Sequence, residues 1–278
     1  MNDITIIIIT YNSDKIIYDF IKKIPSTIKT IIVENSQNYE LKKKIEQNYK
    51  NISVFIKENN GISSALNFGV EKIETKYFLQ ISPDIKFNFK KLEIFLNYAI
   101  GIKDKFAALG PRFLNVEEKS HKQIDDKLES GEIDSIHGSC MFINKENFRI
   151  IGKFDENFFL YFEETEYCFR AKRKGYRSYQ INLIEAETKG RSVEINNETE
   201  QKFNNILIWH FIWSKFYFSK KKYGNFFSIL IFIPLLLRTN FKILFYKVLQ
   251  NKKLTDKYKC RLNGLFKSML GESSDLRP

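Results

Sequence analysis

Ile4-Thr5-Ile6-Ile7-Ile8-Ile9-Thr10-Tyr11-Asn12-Ser13 is the stretch that decides the fold. Its apolar residues fall at successive positions, so a strand formed here is buried on both faces, as in a parallel sheet covered by helices on each side. No basic region precedes the run and no small-residue cleavage site follows it, which reads as a strand and not a leader. The loop Thr10-Tyr11-Asn12-Ser13 then stands at the strand's carboxyl end, where open α/β sheets take their ligands. Taken alone, that loop reads as a helix N-cap with a satisfied Asn.

The same alternation continues outward. Further strands are predicted at 30–33, 52–56, 77–81 and 106–109, and the segments near 14–24, 38–48, 62–73 and 88–99 carry apolar residues at helical spacing. Ile62, Leu66, Val70 and Ile73, for example, share one helix face. Strands alternating with helices predict βαβ units and a mostly parallel sheet. Residues 115–134 are polar without sustained periodicity and predict a loop. A second ordered block follows, with a strand near 135–143, helices near 145–150 and 162–174, a stop at Gly175 and a strand at 177–183. From about residue 200 the chain reads as helical, aromatic and basic.

Charge placement separates these parts. Residues 214–267 hold thirteen Lys and Arg against one acid, Asp256, which leaves the remaining 32 basic and 32 acidic residues of the chain balanced. A nucleic-acid-binding protein needs its basic residues on the folded body, and here the body sums to zero, so this reading is set aside. The basic tail also contains Phe226 to Leu237, twelve nearly unbroken apolar residues, which suits an anionic membrane surface better than nucleic acid. Cys140, Cys168 and Cys260 are too few and too far apart for a disulfide framework or a zinc cluster, which favours a reducing compartment.

Four more polar clusters stand where ligands bind in such a sheet. Val33-Glu34-Asn35-Ser36 ends the second strand, where a carboxylate can accept hydrogen bonds from a nucleobase or ribose. Residues 59–69, NNGISSALNFG, open the third helix with small residues that admit a ligand or pack closely on the sheet. Ser82-Pro83-Asp84 ends the fourth strand with a carboxylate suited to a hard cation bridging phosphates. Residues 152–170, GKFDENFFLYFEETEYCFR, place acids behind an aromatic wall, where a carboxylate becomes a better base. The competing reading of that stretch is a helix whose first-turn acids and last-turn bases suit its dipole, with Glu166 and Arg170 as an i,i+4 pair.

In their order, these clusters resemble glycosyltransferase family 2, especially its rhamnosyltransferase-like members. That family runs T-Y-N, V-D-N-x-S, N-x-G-x-x-x-A-x-N-x-G, N-P-D, G-[AS] and G-x-F-D-E-x-F-F-x-Y-x-E-D-x-D-x-x-x-R. This sequence offers TYNS at 10–13, VENS at 33–36, NNGISSALNFG at 59–69, SPD at 82–84, GS at 138–139 and the block at 152–170, over roughly residues 4–192. The resemblance implies a GT-A fold, an α/β architecture with a Rossmann-like central sheet. It implies a nucleotide-binding half over 1–110 and an acceptor and catalytic half over 111–200, with 201–278 as a helical, membrane-associating extension. It also implies that Thr10, Tyr11, Asn12, Glu34, Asn59, Gly61, Asn67 and Asp84 surround the nucleotide. Asp84 would hold a divalent cation, Mg²⁺ or Mn²⁺, and Glu164, with Glu163 beside it, would be the catalytic base. Asp becomes Glu at 34, 164 and 166, Ser82 replaces the usual Asn or Asp, and 186–192 lacks the histidine that many relatives carry.

The activity so implied is inverting transfer from a nucleotide diphosphate sugar to a hydroxyl of a glycan or lipid-linked acceptor in cell-surface polysaccharide biosynthesis. The alternative is a nucleotide-sugar-binding relative with weak or lost transfer. Because twelve apolar residues fall short of the roughly 20 that a helix needs to cross a bilayer, the extension is expected to lie on the cytoplasmic face of the cell membrane. Trp209, Trp213, Phe216, Tyr217 and Phe218 are expected as its interfacial aromatics. The competing use of the segment is an ordinary helical subdomain or a homodimer face.

Overall fold

The computed structural model describes residues 3–116, 122–190, 193 and 197–277. The chain forms two compact units, Met1–Asp155 with Glu163–Glu194, and Glu156–Phe162 with Ile195–Pro278. In chain order the first unit runs β1 (Ile4–Thr10), α1 (Asp14–Ile21), β2 (Lys29–Glu34), α2 (Tyr39–Asn48), β3 (Ile52–Ile56), α3 (Ile62–Glu71), β4 (Tyr77–Ile81) and β5 (Ile85–Phe87). It continues through α4 (Leu92–Gly101), β6 (Phe106–Phe113), β7 (Ser130–Ile133), β8 (Cys140–Asn144), α5 (Lys145–Ile151), α6 (Glu163–Arg173) and β9 (Arg177–Thr188).

The consecutive isoleucines of β1 do what their spacing predicts. Ile4, Ile6 and Ile8 pack on one side with Ile17 and Phe20 of α1, Ile45 of α2 and Phe95 of α4. Ile7 faces the other way, toward Ala65, Leu66 and Val70 of α3, Phe148 of α5 and Tyr167 of α6. Each fully buried Ile is worth about 1.5–3 kcal/mol, so one strand anchors both layers. Gly69 lets α3 lie this close, since a Cβ built there would come 2.9 Å from Ile7 Cγ2.

Strand order is β3-β2-β1-β4-β8-β6-β9-β5, with β7 paired to β9. The β3-β2-β1-β4 half is parallel, as its βαβ pattern requires. Beyond β4 the sheet is mixed. β8 runs antiparallel to β4 and β6, β9 is parallel to β6, and β5 and β7 are antiparallel to β9. The expectation of a mostly parallel sheet thus holds for one half only, because β4 to β5 and β7 to β8 are joined without a crossover helix. Two features of the sheet escaped the sequence pattern. β7 lies in the stretch expected as a loop, and β9 runs on to Thr188, five residues past its expected end, by pairing with β5.

The second unit consists of α7 (Asn197–Tyr223), α8 (Asn225–Val248) and α9 (Lys252–Leu270), with the 156–162 loop packed among them. Phe158 meets Tyr217, Tyr161 meets Phe211, and the Ser214 hydroxyl donates to the Leu160 carbonyl at 2.8 Å. Ile212, Phe216, Phe232 and Leu265 form its core, and Gly264 lets α9 approach the Trp209 carbonyl, where a Cβ would stand at 2.7 Å. Trp209 and Trp213 are buried in this unit, with their indole N–H groups donating to Asn263 and to the Glu272 carbonyl. These two and Phe216 are therefore packing residues and not interfacial aromatics. Their polar edges are satisfied inside the protein.

The most exposed phenylalanines stand on α8 instead. Phe226, Phe227, Phe241 and Phe245, with Leu230, Ile231, Leu237 and Leu244, leave one face of this helix open, while Ser228, Phe232 and Thr239 pack inward. The helix is 24 residues long, twice the apolar run that announces it, and is long and apolar enough to cross a membrane by length and composition.

Candidate active site

Thr10 and Glu34 end β1 and β2 in register, both fully buried. The Thr10 hydroxyl donates to Glu34 Oε2 at 2.6 Å, and the Ser36 backbone N–H and hydroxyl both donate to Oε1. Both Glu34 oxygens are thus engaged by the protein, and the carboxylate ties the two loops into one lip. Asn12, at φ 46°, donates its backbone N–H to Ser36 Oγ at 3.3 Å. Tyr11 is half-buried and Asn12 exposed beside this lip.

On the neighbouring edge, Gly61 takes φ 96° to start α3, and its N–H donates to Asn59 Oδ1 at 3.3 Å. A glycine-opened helix N-terminus at a sheet's carboxyl edge is suited to an anion. Two buried atoms here have no hydrogen-bond partner, Asn35 Oδ1 and Ser63 Oγ. Buried polar atoms without partners are uncommon, and a ligand that met them would remove the cost. Asn67 is engaged otherwise: its side-chain amide donates to the Phe154 carbonyl at 2.9 Å and accepts from the Phe154 N–H at 3.0 Å, pinning the 152–155 segment to α3.

Asp84 follows β4. The Ser82 N–H donates to the Ser139 carbonyl at 2.9 Å, which fixes this turn against the Gly138-Ser139 loop. Thr188 donates its hydroxyl to Asp84 Oδ2 at 3.0 Å, and the Lys189 N–H donates to the Asp84 carbonyl. Burial raises the Asp84 carboxyl above its ordinary range, opposed by the Thr188 hydroxyl and the Lys189 charge. No cluster of three His, Cys, Asp or Glu able to hold a metal occurs among the described residues. A single buried carboxylate fits a cation that takes its other ligands from substrate phosphates and water, not an all-protein cage.

Glu163 and Glu164 open α6, just after Tyr161 and Phe162, which hold φ 68° and 69°. Such values are uncommon for bulky side chains and cluster at functional sites. Glu164 Oε1 accepts from the Thr165 hydroxyl at 3.1 Å. Its carboxyl lies against Gly138, where a Cβ would stand 3.3 Å from both Cδ and Oε2. Gly138 is next to Ser139, so the same loop touches Asp84's turn on one side and Glu164 on the other. Burial raises the carboxyl pKa of both glutamates, Glu163 furthest, because the Glu164 charge adds to its own burial. Glu163 Oε2 is buried without a partner. Further along α6, Arg170 pairs with Glu166 at 3.1 Å as the i,i+4 spacing predicts, and donates to the Ile151, Gly152 and Lys153 carbonyls.

Thr188 and Gly138 are the site residues that sequence reasoning left out. Gly138 stands in a Gly-Ser pair that bears no reactive group to mark it. Thr188 lies in the stretch noted only for its missing histidine, and its role depends on the β5–β9 pairing.

A family model described as Glycosyl transferase family 2 matches residues 5–149, just over half of the chain. The chain belongs to glycosyl transferase family 2. Among relatives of this family 2 glycosyltransferase, the Low-salt glycan biosynthesis hexosyltransferase Agl10 of Haloferax volcanii is 27% identical over 208 residues, 67% of each chain. The dTDP-rhamnosyl transferase RfbF of Shigella flexneri is 26% identical over 196 residues, 63% of this chain and 64% of its own. The chain thus spans about two thirds of these relatives. Among solved structures, GalNAc-T7 with UDP, GalNAc and Mn²⁺ aligns at TM-score 0.56 and 14% identity over 79% of this chain and 50% of its own. S. aureus TarS 1-349 with UDP-GlcNAc aligns at TM-score 0.52 and 11% identity over 97% and 92%. These likenesses show the GT-A fold. In this glycosyltransferase the family match contains the polar lips, Asp84 and Gly138, and ends before Glu163 and Glu164.

Proposed function

We propose that this glycosyltransferase transfers a sugar, with inversion at the anomeric carbon, from a nucleotide diphosphate sugar to a hydroxyl of a glycan or lipid-linked acceptor in cell-surface polysaccharide biosynthesis. The observation that carries the reading is Glu164, a carboxyl raised by burial and seated on the Gly138-Ser139 loop that also holds Asp84's turn. In this reading Glu164 takes the acceptor hydroxyl proton while that oxygen bonds to the anomeric carbon. The bond from that carbon to the diphosphate oxygen breaks, and nucleoside diphosphate leaves with the electron pair. Glu163, held neutral, adds no second charge beside the base.

The donor's nucleotide is assigned to the crevice between the β1 and β2 lips and the start of α3. Thr10, Glu34 and Asn67 shape it through their protein partners, while Tyr11, Asn12, Asn59 and the Gly61 turn face the ligand with Asn35 and Ser63. A divalent cation held by Asp84, Mg²⁺ or Mn²⁺, would neutralise charge growing on the diphosphate. The test is Glu164→Gln, which should retain donor affinity and lose transfer; native turnover in that variant would place the base elsewhere. A nucleotide-sugar-binding protein with weak transfer is the second reading, favoured by Ser82 in place of the usual Asn or Asp. Turnover with an acceptor panel separates the two.

We also propose that the enzyme sits peripherally on the cytoplasmic face of the cell membrane, with the outer face of α8 in the lipid. Phe226, Leu237, Phe241 and Leu244 are each 64–69% exposed, an apolar face too continuous for open solvent. Arg238 and Lys242 lie inside the helix and favour an orientation along the surface over one across it, because charges at the bilayer centre are costly. Substituting Phe226 and Phe241 by Ser in the intact chain should abolish flotation with vesicles, and unchanged flotation would remove α8 as the anchor.

A further inference from the structure

A cavity of about 330 Å³ opens between α8 and α9, away from the catalytic residues in sequence. Arg238 and Lys242 line it from α8, Tyr258 and Arg261 from α9, and Ile231 and Pro234 lead from it onto the exposed apolar face. Arg238 and Lys242 are one helical turn apart, at the seam between the inward-packed stripe and the open face of α8. Lys242 Nζ donates to the Tyr258 hydroxyl at 2.8 Å, and its charge lies 4.8 Å from the ring centre.

Among the described residues, none of these three cations is paired with a carboxylate, whereas the basic residues near the sheet strands find acids readily. Three like charges sharing one cavity repel, and partial burial makes the repulsion stronger. Burial and the Arg238 charge lower the Arg261 pKa, and the Tyr258 hydroxyl opposes them. An anion in the cavity would relieve both effects. A phosphate oxygen cluster suits two guanidinium forks and an ammonium, and the apolar face beside it suits acyl chain.

We propose that the α8–α9 cavity binds the phosphate headgroup of an anionic membrane lipid, gripped by Arg238, Lys242 and Arg261, while the lipid's acyl chains lie along the exposed face of α8. This rests on the peripheral membrane reading and is independent of the sugar chemistry. It adds a specific lipid contact to what diffuse surface charge would supply. Diffuse attraction is worth roughly fivefold per basic residue and fades with salt, because the screening length is only about 3 Å at 1 M. Contacts made inside a part-buried cavity are screened much less.

The experiment uses the full chain with vesicles of phosphatidylcholine, alone or with phosphatidylglycerol, at low and high salt. Arg238→Gln with Arg261→Gln is compared with the charge-matched Lys252→Gln with Lys253→Gln. Arg238→Gln alone, at an exposed side chain, guards against misfolding. At high salt the native chain and the Lys252, Lys253 variant should bind phosphatidylglycerol vesicles equally, while the Arg238, Arg261 variant binds about tenfold more weakly and Arg238→Gln falls between. Glycerol phosphate in solution should not release the native chain. Equal losses in the two double variants would overturn the cavity and leave membrane binding standing. Full release by glycerol phosphate would overturn the lipid assignment, because it gives the cavity to a soluble phosphate. A native chain that floats with no vesicle, or that self-associates through α8, overturns the membrane reading and the cavity together, whatever the transferase assay reports.

Discussion

The Glu164 carboxyl lies against Gly138 so closely that a Cβ built there would stand 3.3 Å from its Cδ and Oε2. That separation is tight enough that any side chain at 138 moves the carboxyl by a few tenths of an ångström. Displacing a reacting group by about 1 Å can cost about 100-fold in rate. Gly138→Ala should therefore lower kcat by about tenfold with donor KM nearly unchanged. A variant with native kcat would detach Glu164 from the reaction.

Glu164→Gln should lower kcat by about 100- to 10,000-fold, the usual worth of a general base. The native enzyme's kcat/KM should fall as acid protonates the base, and burial moves that fall to a higher pH than an exposed glutamate would give. A pH–rate profile measures it directly. Thr165→Val removes the hydroxyl that stabilises the charged form and should move the acid limb further up.

Glu163 makes a prediction about stability. Its folded pKa lies well above the unfolded value, so between the two the native state binds more protons than the unfolded state. Stability is then lost as pH rises through that window. Glu163→Gln should raise Tm at neutral pH, by about 2–4 °C for each 1 kcal/mol, and the gain should vanish once pH falls below the ordinary glutamate range. Thermal melts of both proteins across pH check the sign.

His210 titrates the other way. Burial holds its pKa down to about 4, and its ring stacks on Phe159 while its nitrogens meet Ser274 and the Leu276 carbonyl. The unfolded state binds the proton first, so stability should fall as pH drops from about 6.5 towards 4, by about 3 kcal/mol in all. His210→Gln should flatten that loss in a melt monitored through the two tryptophans. An unchanged acid slope would put the responsible group elsewhere.

Asp84→Asn should remove the metal dependence of nucleotide binding. Thr188→Val should weaken metal-dependent affinity severalfold, since it deletes the hydroxyl bonded to Oδ2 and leaves burial to raise the carboxyl further. Titration calorimetry with and without Mn²⁺ reads both variants. Identical affinities in the native protein with and without the ion would mean that Asp84 holds no cation.

The parallel half of the sheet was legible because Ile4 to Ile9, five isoleucines broken only by Thr5, can be buried only between two helical layers. The polar ends of β1, β2 and β4 were legible too, since ligands gather at carboxyl edges. What stayed hidden depends on partners distant in sequence. β7 has no alternation of its own and exists by pairing with β9, and Thr188 meets Asp84 because β5 sets the register. Trp209 and Trp213 look like interfacial aromatics until Asn263 and Glu272 accept their N–H groups. Glu34 and Asn67 look free in a motif and are engaged in the fold. The length of α8 was hidden because Arg238 ends the apolar run without ending the helix.

The loop at Glu156–Phe162 belongs with the helices, although it is cut from the middle of the other unit's sequence. A single crossover after the loop therefore cannot exchange the helical unit cleanly, because the new helices would meet a loop shaped for the old ones. Phe158 and Tyr161 would have to change with Tyr217 and Phe211. Recombinants that exchange the helical unit should accordingly inherit residues 156–278 as one block, with Glu163 and Glu164 travelling inside it.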